Sequence, residues 1–370
     1  MTFIFRGSLF FRHPCKTASV RLMGAHRPSS FYVSGRLTGL GVRSTNIHLC
    51  CNDFLYTSLQ LLQFPLPMTI LDALRWANNQ LKKTGLDSPM LDAEVLLAHT
   101  LQTTRAKLFA RFNDPLKPHE QEKFLLLTER RAQREPVAYL TGRKPFYGRD
   151  FTVNPFVLIP RPETETLIEA ALDVFATTDD KERVLIADIG TGSGAVAVTL
   201  AKETGAPVIA VDTSERALAV ARANAQVHNA ADLIDFQSGD LLDPLFALFN
   251  TLRRTSPKPV SSVYPFKHLI LCANLPYLST AQMETLLADV TYEPKEALHA
   301  GSDGLEAYFR LIRQLKKGRA ELPRRLTLLI EIDPSQSSRA VQLIAHEFPS
   351  ADMETKKGLQ GAVRVVCAEV

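Results

Sequence analysis

The stretch Val184-Leu-Ile-Ala-Asp-Ile-Gly-Thr-Gly-Ser-Gly194 restricts the fold of this chain more than any other. Its first half is an apolar run of strand type, and its second half alternates glycine with small residues. Ala195 to Ala201 then reads as the opening of a buried helix. Strand, glycine turn and helix start make the first βα unit of a nucleotide-binding α/β sheet. Glycine has no Cβ and tolerates positive φ, so such a turn lets the backbone approach a ligand closely. The glycines Gly190, Gly192 and Gly194 are spaced G-x-G-x-G, not in the dinucleotide pattern G-x-G-x-x-G. Asp188 closes the strand before the turn, and Asp212 ends the next strand, Pro207-Val-Ile-Ala-Val-Asp212. A separation of roughly 20 residues suits a carboxylate that accepts hydrogen bonds from ribose hydroxyls.

The combination D-x-G-x-G-x-G followed by a strand ending in aspartate resembles class I S-adenosylmethionine-dependent methyltransferases. A dinucleotide dehydrogenase is the competing reading, and the position of the third glycine argues against it. The resemblance implies S-adenosylmethionine as cofactor, held over Asp188, Gly190, Thr191, Gly192, Ser193 and Gly194, with its ribose on Asp212. Asp240 and Leu241, after the third strand Leu233–Gln237, are expected to border its adenine.

The rest of the chain is consistent with that frame. Strands at 268–273, 326–332 and 363–368 alternate with helices at 215–227, 303–319 and 335–347, which predicts a doubly wound, mostly parallel seven-stranded sheet. Residues 244–267, polar and proline-bearing with Arg253, Arg254 and Lys258, read as a surface insertion. Upstream, Thr69 with Asp72 three residues on forms a helix-capping pattern. Leu71, Leu74, Ala77 and Leu81, then Leu91, Val95, Leu96 and Leu101, recur at helical spacing, as do Phe124, Leu127 and Ala132. The expected organisation is a helical domain over 68–135, a hairpin linker around Gly148 over 136–160, and a methyltransferase domain over 161–370.

Composition matters chiefly for residues 1–67. The chain carries 43 basic and 39 acidic residues, and residues 1–67 hold seven of the basic ones against the single acid Asp53. The remaining 36 and 38 leave the body at −2, so the chain's overall +4 is no nucleic-acid footprint. The Arg-rich, acid-poor leader matches a mitochondrial transit peptide, or else is a disordered or over-extended segment ahead of a folded unit starting at Met68. Cytoplasm is the expected compartment, with the mitochondrial matrix as the alternative. No apolar run reaches the 18 or so residues needed to cross a bilayer. Of five cysteines, three lie in the leader, and there is no C-x-x-C or H-E-x-x-H. A reducing compartment and no metal are expected.

Asn274-Leu-Pro-Tyr277 stands directly after the fourth strand, where open α/β sheets bind their ligands. An amide or exocyclic amine nitrogen is a poor nucleophile because its lone pair is delocalised. Two acceptors that take its N–H bonds point it at an electrophilic methyl, and the Asn274 side-chain carbonyl with the Leu275 backbone carbonyl can supply that pair. Pro276 stiffens the turn, and Tyr277 can stack on a planar group.

With these residues the chain resembles the HemK/PrmC family, which methylates the glutamine of the Gly-Gly-Gln motif in peptide chain release factors. Phe146-Tyr-Gly148, Arg161-Pro-Glu-Thr-Glu165, Glu293-Pro-Lys-Glu-Ala-Leu298 and Gly301-Ser-Asp-Gly-Leu305 carry the same resemblance, and Glu331-Ile332 with Gln336 does so more weakly. It covers about Met68 to the C-terminus. It implies N5-glutamine methylation, release-factor engagement by the helical domain, and substrate contacts from Asn274, Leu275, Pro276, Tyr277, Arg161 and Glu163, with Asn274 also among the cofactor-binding residues. It implies neither nucleic acid nor membrane as partner. Two departures stand out: Leu275 replaces the family's first proline, and Asp333 replaces the glycine after Glu-Ile. Leucine there also resembles rRNA adenine dimethyltransferases, so adenine-N6 methylation is the second reading.

Overall fold

The computed structural model describes residues 68–255 and 266–370, together with two three-residue strands, Arg21–Met23 and Tyr32–Ser34, that pair antiparallel. The expectations for the rest of residues 1–67, and for Lys258, lie outside the described residues.

Five helices open the described chain: α1 (Ile70–Lys83), α2 (Pro89–Thr100), α3 (Arg105–Phe109), α4 (Pro118–Ala132) and α5 (Val137–Thr141). Helix α1 begins where the capping pattern puts it: the Thr69 hydroxyl accepts the Asp72 N–H at 3.2 Å, and the Asp72 carboxylate accepts the Thr69 N–H at 3.4 Å. Ile70, Ala73, Leu74, Ala77 and Leu81 of α1 are buried against Leu96, Leu97 and Phe124. Leu91, expected in the apolar stripe of α2, is instead 42% exposed. The helix is turned so that Asp92 reaches Arg131 of α4 at 2.7 Å and Glu94 reaches Arg105. Two buried acids each require a cation, and satisfying both points Leu91 outward.

A hairpin follows, Arg143–Phe146 against Arg149–Thr152, closed by Tyr147 and Gly148 at φ 47° and 71°. Two positive-φ residues form the tight turn that suits right-twisted strands. The hairpin does more than link, because Phe146 and Phe151 are buried in the methyltransferase core.

Seven strands form the central sheet: β1 (Val184–Ile189), β2 (Val208–Asp212), β3 (Ile234–Ser238), β4 (His268–Ala273), β5 (Arg325–Glu331), β6 (Asp352–Lys357) and β7 (Val363–Glu369). Their spatial order is β6-β7-β5-β4-β1-β2-β3. The first five strands are parallel, while β7 runs antiparallel to β5 and β6 antiparallel to β7. Every residue of β1 and β4 is buried, as strands covered on both faces require. One face carries α6 (Glu165–Ala176), α7 (Ala195–Thr204) and α8 (Glu215–Val227). The other carries α9 (Asp243–Thr255), α11 (Glu306–Gly318) and α12 (Ser337–Glu347), while α10 (Thr280–Glu284) follows β4.

One sequence expectation fails here, and one of the seven expected strands lies where the sequence did not locate it. The segment 244–255 is no surface insertion: α9 buries Leu245 and Phe249 in the core, with Phe246 and Leu252 packed against it. Strand β6 was not anticipated, because Asp352-Met-Glu-Thr-Lys-Lys357 has no apolar run. It is a sheet edge, and its Lys356 pairs with Glu354 and Asp173. Charge on an edge strand discourages pairing with another chain.

The chain reverses direction across the sheet between β1 and β4. Ligands of open α/β sheets bind beyond the carboxyl ends of such a strand pair, and the segments that follow β1 and β4 converge there.

Candidate active site

Gly190, Gly192 and Gly194 have φ values of 77°, 55° and 78°, all in the left-handed region that only glycine adopts without cost. Two of them are also closely approached by other side chains. A Cβ on Gly194 would lie 3.0 Å from Ala221 Cβ, where α7 crosses α8. A Cβ on Gly190 would lie 3.0 Å from Leu275 Cδ2, so the glycine turn and the Asn274–Tyr277 segment touch at this point.

Asp188 serves the turn from below. Its Oδ2 accepts the Thr191 hydroxyl at 2.7 Å and the Ala197 N–H at 3.1 Å, which pins the turn to the first turn of α7. Burial pushes its pKa up to about 6, partly offset by these two hydrogen bonds. Ser193 is buried too, its carbonyl accepting Asn224 Nδ2 at 2.8 Å. Asp212 sits at the turn itself, where Oδ2 accepts the Gly192 N–H at 2.9 Å and Oδ1 the Ser214 N–H at 2.8 Å. Burial raises its pKa as well, against those backbone bonds. A carboxylate has about four acceptor positions, so the backbone N–H groups of Gly192, Ser214 and Thr213 leave Asp212 capacity for at least one hydroxyl. The glycine turn, open at Gly192, and this spare capacity fit a ribose-bearing ligand over it.

Asp240 follows Gly239, whose N–H donates to the Asp212 carbonyl at 3.1 Å. Its carboxylate pairs with Arg310 and lies 3.4 Å from Gln314 Nε2, both on α11. Leu241 is buried with φ 50°, a strained conformation for leucine.

At the end of β4, the Asn274 Nδ2 donates to the Thr164 hydroxyl at 3.0 Å. The Leu275 N–H donates to the Tyr308 hydroxyl at 3.1 Å. Tyr308 has one proton to give, and the Glu331 carbonyl is closer to its hydroxyl than the Leu275 carbonyl, 3.3 Å away. The Leu275 carbonyl therefore retains its acceptor capacity. Pro276 and Tyr277 are partly buried, and the Tyr277 carbonyl accepts Gln336 Nε2 at 2.8 Å. Burial, then the nearby Glu331, push the Tyr277 hydroxyl up to about 12.

Arg161 and Glu163 are placed less directly. Arg161 pairs with the buried Glu293, which also accepts the Ile159 N–H at 3.0 Å. Glu163 lines a cavity of about 200 Å³ with Pro162, Leu359, Gln360 and Arg364. Behind the tetrapeptide, Asp289 takes Arg131 of α4 at 2.7 Å, and the Tyr292 hydroxyl donates to the Gln133 carbonyl at 2.8 Å. These contacts tie the helical domain to the segment leaving the site. Sequence reasoning missed roles for Thr164, Tyr308 and Glu293. The motifs containing Thr164 and Glu293 were visible, but only the folded contacts show what the side chains hold. Among the described residues no group of three or more His, Cys, Asp or Glu could hold a metal ion. Nor is any described helix long and apolar enough to cross a membrane.

Residues 72–142 match the model of the PrmC N-terminal domain, and residues 186–250 match that of a methyltransferase domain. The chain is 35% identical over 303 residues to the release factor glutamine methyltransferase of Bacillus subtilis (strain 168), covering 81% of this chain and 97% of the relative. The chain belongs to the release factor glutamine methyltransferase family. The family member of Moorella thermoacetica is 40% identical over 279 residues, 75% of this chain and 90% of its own length. That of Rhodopirellula baltica is 32% identical over 307 residues, 81% of this chain and 96% of its own. The PrmC match spans nearly the whole of α1–α5, so the family assignment rests on the helical domain as well as the sheet.

Proposed function

We propose that this chain transfers the methyl group of S-adenosylmethionine to the side-chain amide nitrogen of the glutamine in the Gly-Gly-Gln motif of a peptide chain release factor. One observation carries the reading: Asn274 has its amide nitrogen committed to Thr164, beside a glycine turn that Leu275 touches. With one Nδ2 N–H held by Thr164, the amide is oriented, and its carbonyl oxygen is the acceptor Asn274 offers a ligand. Together with the Leu275 carbonyl it makes two acceptors for the two N–H bonds of a primary amide. Such a clamp rejects a group without those donors, because two buried acceptors would be left unpaired.

The bound cofactor supplies a methyl on a positively charged sulfur, which is already an activated electrophile. The chain's own residues bind and orient. The Gly190–Gly194 turn and Asp212 hold the cofactor, with Asp240 and Leu241 at the adenine side. Asn274 and Leu275 fix the amide nitrogen so that encounter becomes an oriented, effectively unimolecular event. Pro276 restrains the turn, and Tyr277 lies against the planar amide. Arg161 and Glu163 border the substrate's approach, and the helical domain engages the rest of the release factor. No strong base is needed, since the displaced N–H proton leaves to water after transfer.

Adenine-N6 methylation is the weaker reading, because the relatives are named for release-factor glutamine and the body of the chain has no basic excess. The compartment that goes with this function is the cytoplasm, or the mitochondrial matrix if residues 1–67 direct import. The test is incubation with labelled S-adenosylmethionine and either a release factor, its Gly-Gly-Gln glutamine→alanine variant, or rRNA. Label on the intact release factor alone supports the proposal, and label on rRNA defeats it.

A further inference from the structure

An asparagine clamp works only if its amide stays the right way round. A flip exchanges the carbonyl oxygen for an N–H₂ and turns an acceptor into a donor. Thr164 takes the Asn274 N–H, but a hydroxyl can equally well turn and donate to an amide oxygen. Something must decide where the Thr164 proton goes.

The sheet places a candidate beside the pair. Strands β4 and β5 are parallel, with Ala273 opposite Ile330, so the next residues, Asn274 and Glu331, lie side by side. Ala273 and Ile330 both face the α9–α11–α12 core, whereas Cys272 and Leu329 face the core beneath α6 and α7. Side chains alternate along a strand, so Asn274 and Glu331 share the face that holds Thr164. Glu331 is fully buried, and neither carboxylate oxygen meets a donor in good hydrogen-bond geometry. A buried carboxyl without a direct partner is costly to keep. Burial pushes its pKa up to about 7, with the Thr164 hydroxyl the largest influence in the opposite direction. The other charged or titratable groups facing it are Arg161 and Glu163 before α6, Arg364 on β7, Tyr277 after β4 and Tyr308 on α11.

We infer that Glu331 is a positioning residue that acts through the Thr164 hydroxyl to hold the Asn274 carbonyl oxygen toward the substrate amide. The inference rests on the amide-clamp reading of the preceding subsection. An ionised Glu331 can only accept, so it draws the Thr164 proton and leaves the Thr164 oxygen to receive the Asn274 N–H. A protonated Glu331 donates to Thr164 instead. The Thr164 proton is then free to turn toward Asn274, which favours the flipped amide. Protonation of Glu331 therefore weakens the clamp.

The test is kcat and KM for methylation of a release factor on both sides of pH 7, with cofactor affinity measured by calorimetry. The enzymes are the full chain and its Glu331→Gln, Thr164→Val and Thr164→Ser variants. Wild-type kcat should fall about tenfold per pH unit on the acid side, as loss of one proton-sensitive group requires. Glu331→Gln should lose that limb and run about tenfold slower on the alkaline side, since glutamine can accept from Thr164 but also competes as a donor. Thr164→Val should lower kcat about 10–100-fold with cofactor affinity unchanged, and Thr164→Ser should restore it to within about threefold. An acid limb that persists in Glu331→Gln, or wild-type kcat in Thr164→Val, overturns the relay. If Glu331→Gln does not fold, the Thr164 pair decides. An active wild type with unaffected variants removes the relay alone. A wild type that labels no release factor removes the functional reading as well.

Discussion

Replacing Asp212 with alanine should separate two tasks that fall on one carboxylate. Its oxygens brace the glycine turn through Gly192 N–H at 2.9 Å and the start of α8 through Ser214 N–H at 2.8 Å. The same carboxylate is assigned to the cofactor ribose. A hydrogen bond to a charged group contributes about 1.5–3 kcal/mol. The residue is only partly buried, so water replaces some of the brace, and a stability loss of about 1–3 kcal/mol is expected. A domain of this kind has about 5–15 kcal/mol in hand, so Asp212→Ala should remain folded, and weaker binding will report lost contacts. Losing the ribose contacts should cost a further 1.5–3 kcal/mol or so in affinity, about a 10–150-fold rise in Kd. Calorimetry with S-adenosylmethionine measures this, and melting curves with and without saturating cofactor measure the brace. Asp212→Asn, which keeps one acceptor oxygen, should fall between. A lowered Tm with wild-type Kd would refute the ribose assignment and leave Asp212 a brace alone.

Other substitutions probe the same frame. Gly194→Ala should cost about 2–4 kcal/mol in chemical denaturation, from a left-handed φ of 78° and a Cβ 3.0 Å from Ala221; wild-type stability would show that α7 and α8 part more easily than they pack. Asp188 has its folded pKa raised from 3.8 to about 6. The folded state therefore holds the proton longer than the unfolded state, and stability is lost as pH rises from about 4 to about 6. The stability difference between wild type and Asp188→Asn should shift against the wild type by about 3 kcal/mol across that window, and a pH-independent difference would contradict the burial argument. Leu275→Pro keeps the backbone carbonyl but loses the N–H that Tyr308 receives. It should therefore turn over within about tenfold of wild type while losing about 1 kcal/mol of stability, and abolished turnover would mean that the Leu275 N–H, not its carbonyl, matters.

Much of this arrangement is legible along the chain because the signals are local. The buried strands β1 and β4 read as apolar runs, the glycine turn as its own spacing, and the first helix as Thr69 with Asp72. What was hidden depends on distant partners or lacks an apolar signal. Strand β6 is polar because it is an edge, and α9 was masked by the proline and charges around it, although Leu245, Phe249 and Leu252 keep helical spacing. Leu91 turned outward because Arg131, 39 residues from Asp92, claims that acid. The site shows the same division. Asn274 and Gly190 announce themselves, but Thr164 reaches Asn274 across 110 positions and Glu293 reaches Arg161 across 132. Only the register of β4 against β5 sets Glu331 beside Asn274.

The amide clamp itself is tested most directly by Asn274→Ala, with methyl transfer to a release factor and cofactor affinity measured on the same preparation. Asn274 orients the nitrogen mainly on approach to the transition state. Loss of one positioned hydrogen-bond partner in such a site costs about 10²–10³ in rate. The expected result is a fall of that size in kcat with Kd for S-adenosylmethionine close to wild type. Near-normal turnover on the release factor by Asn274→Ala would contradict the mechanism.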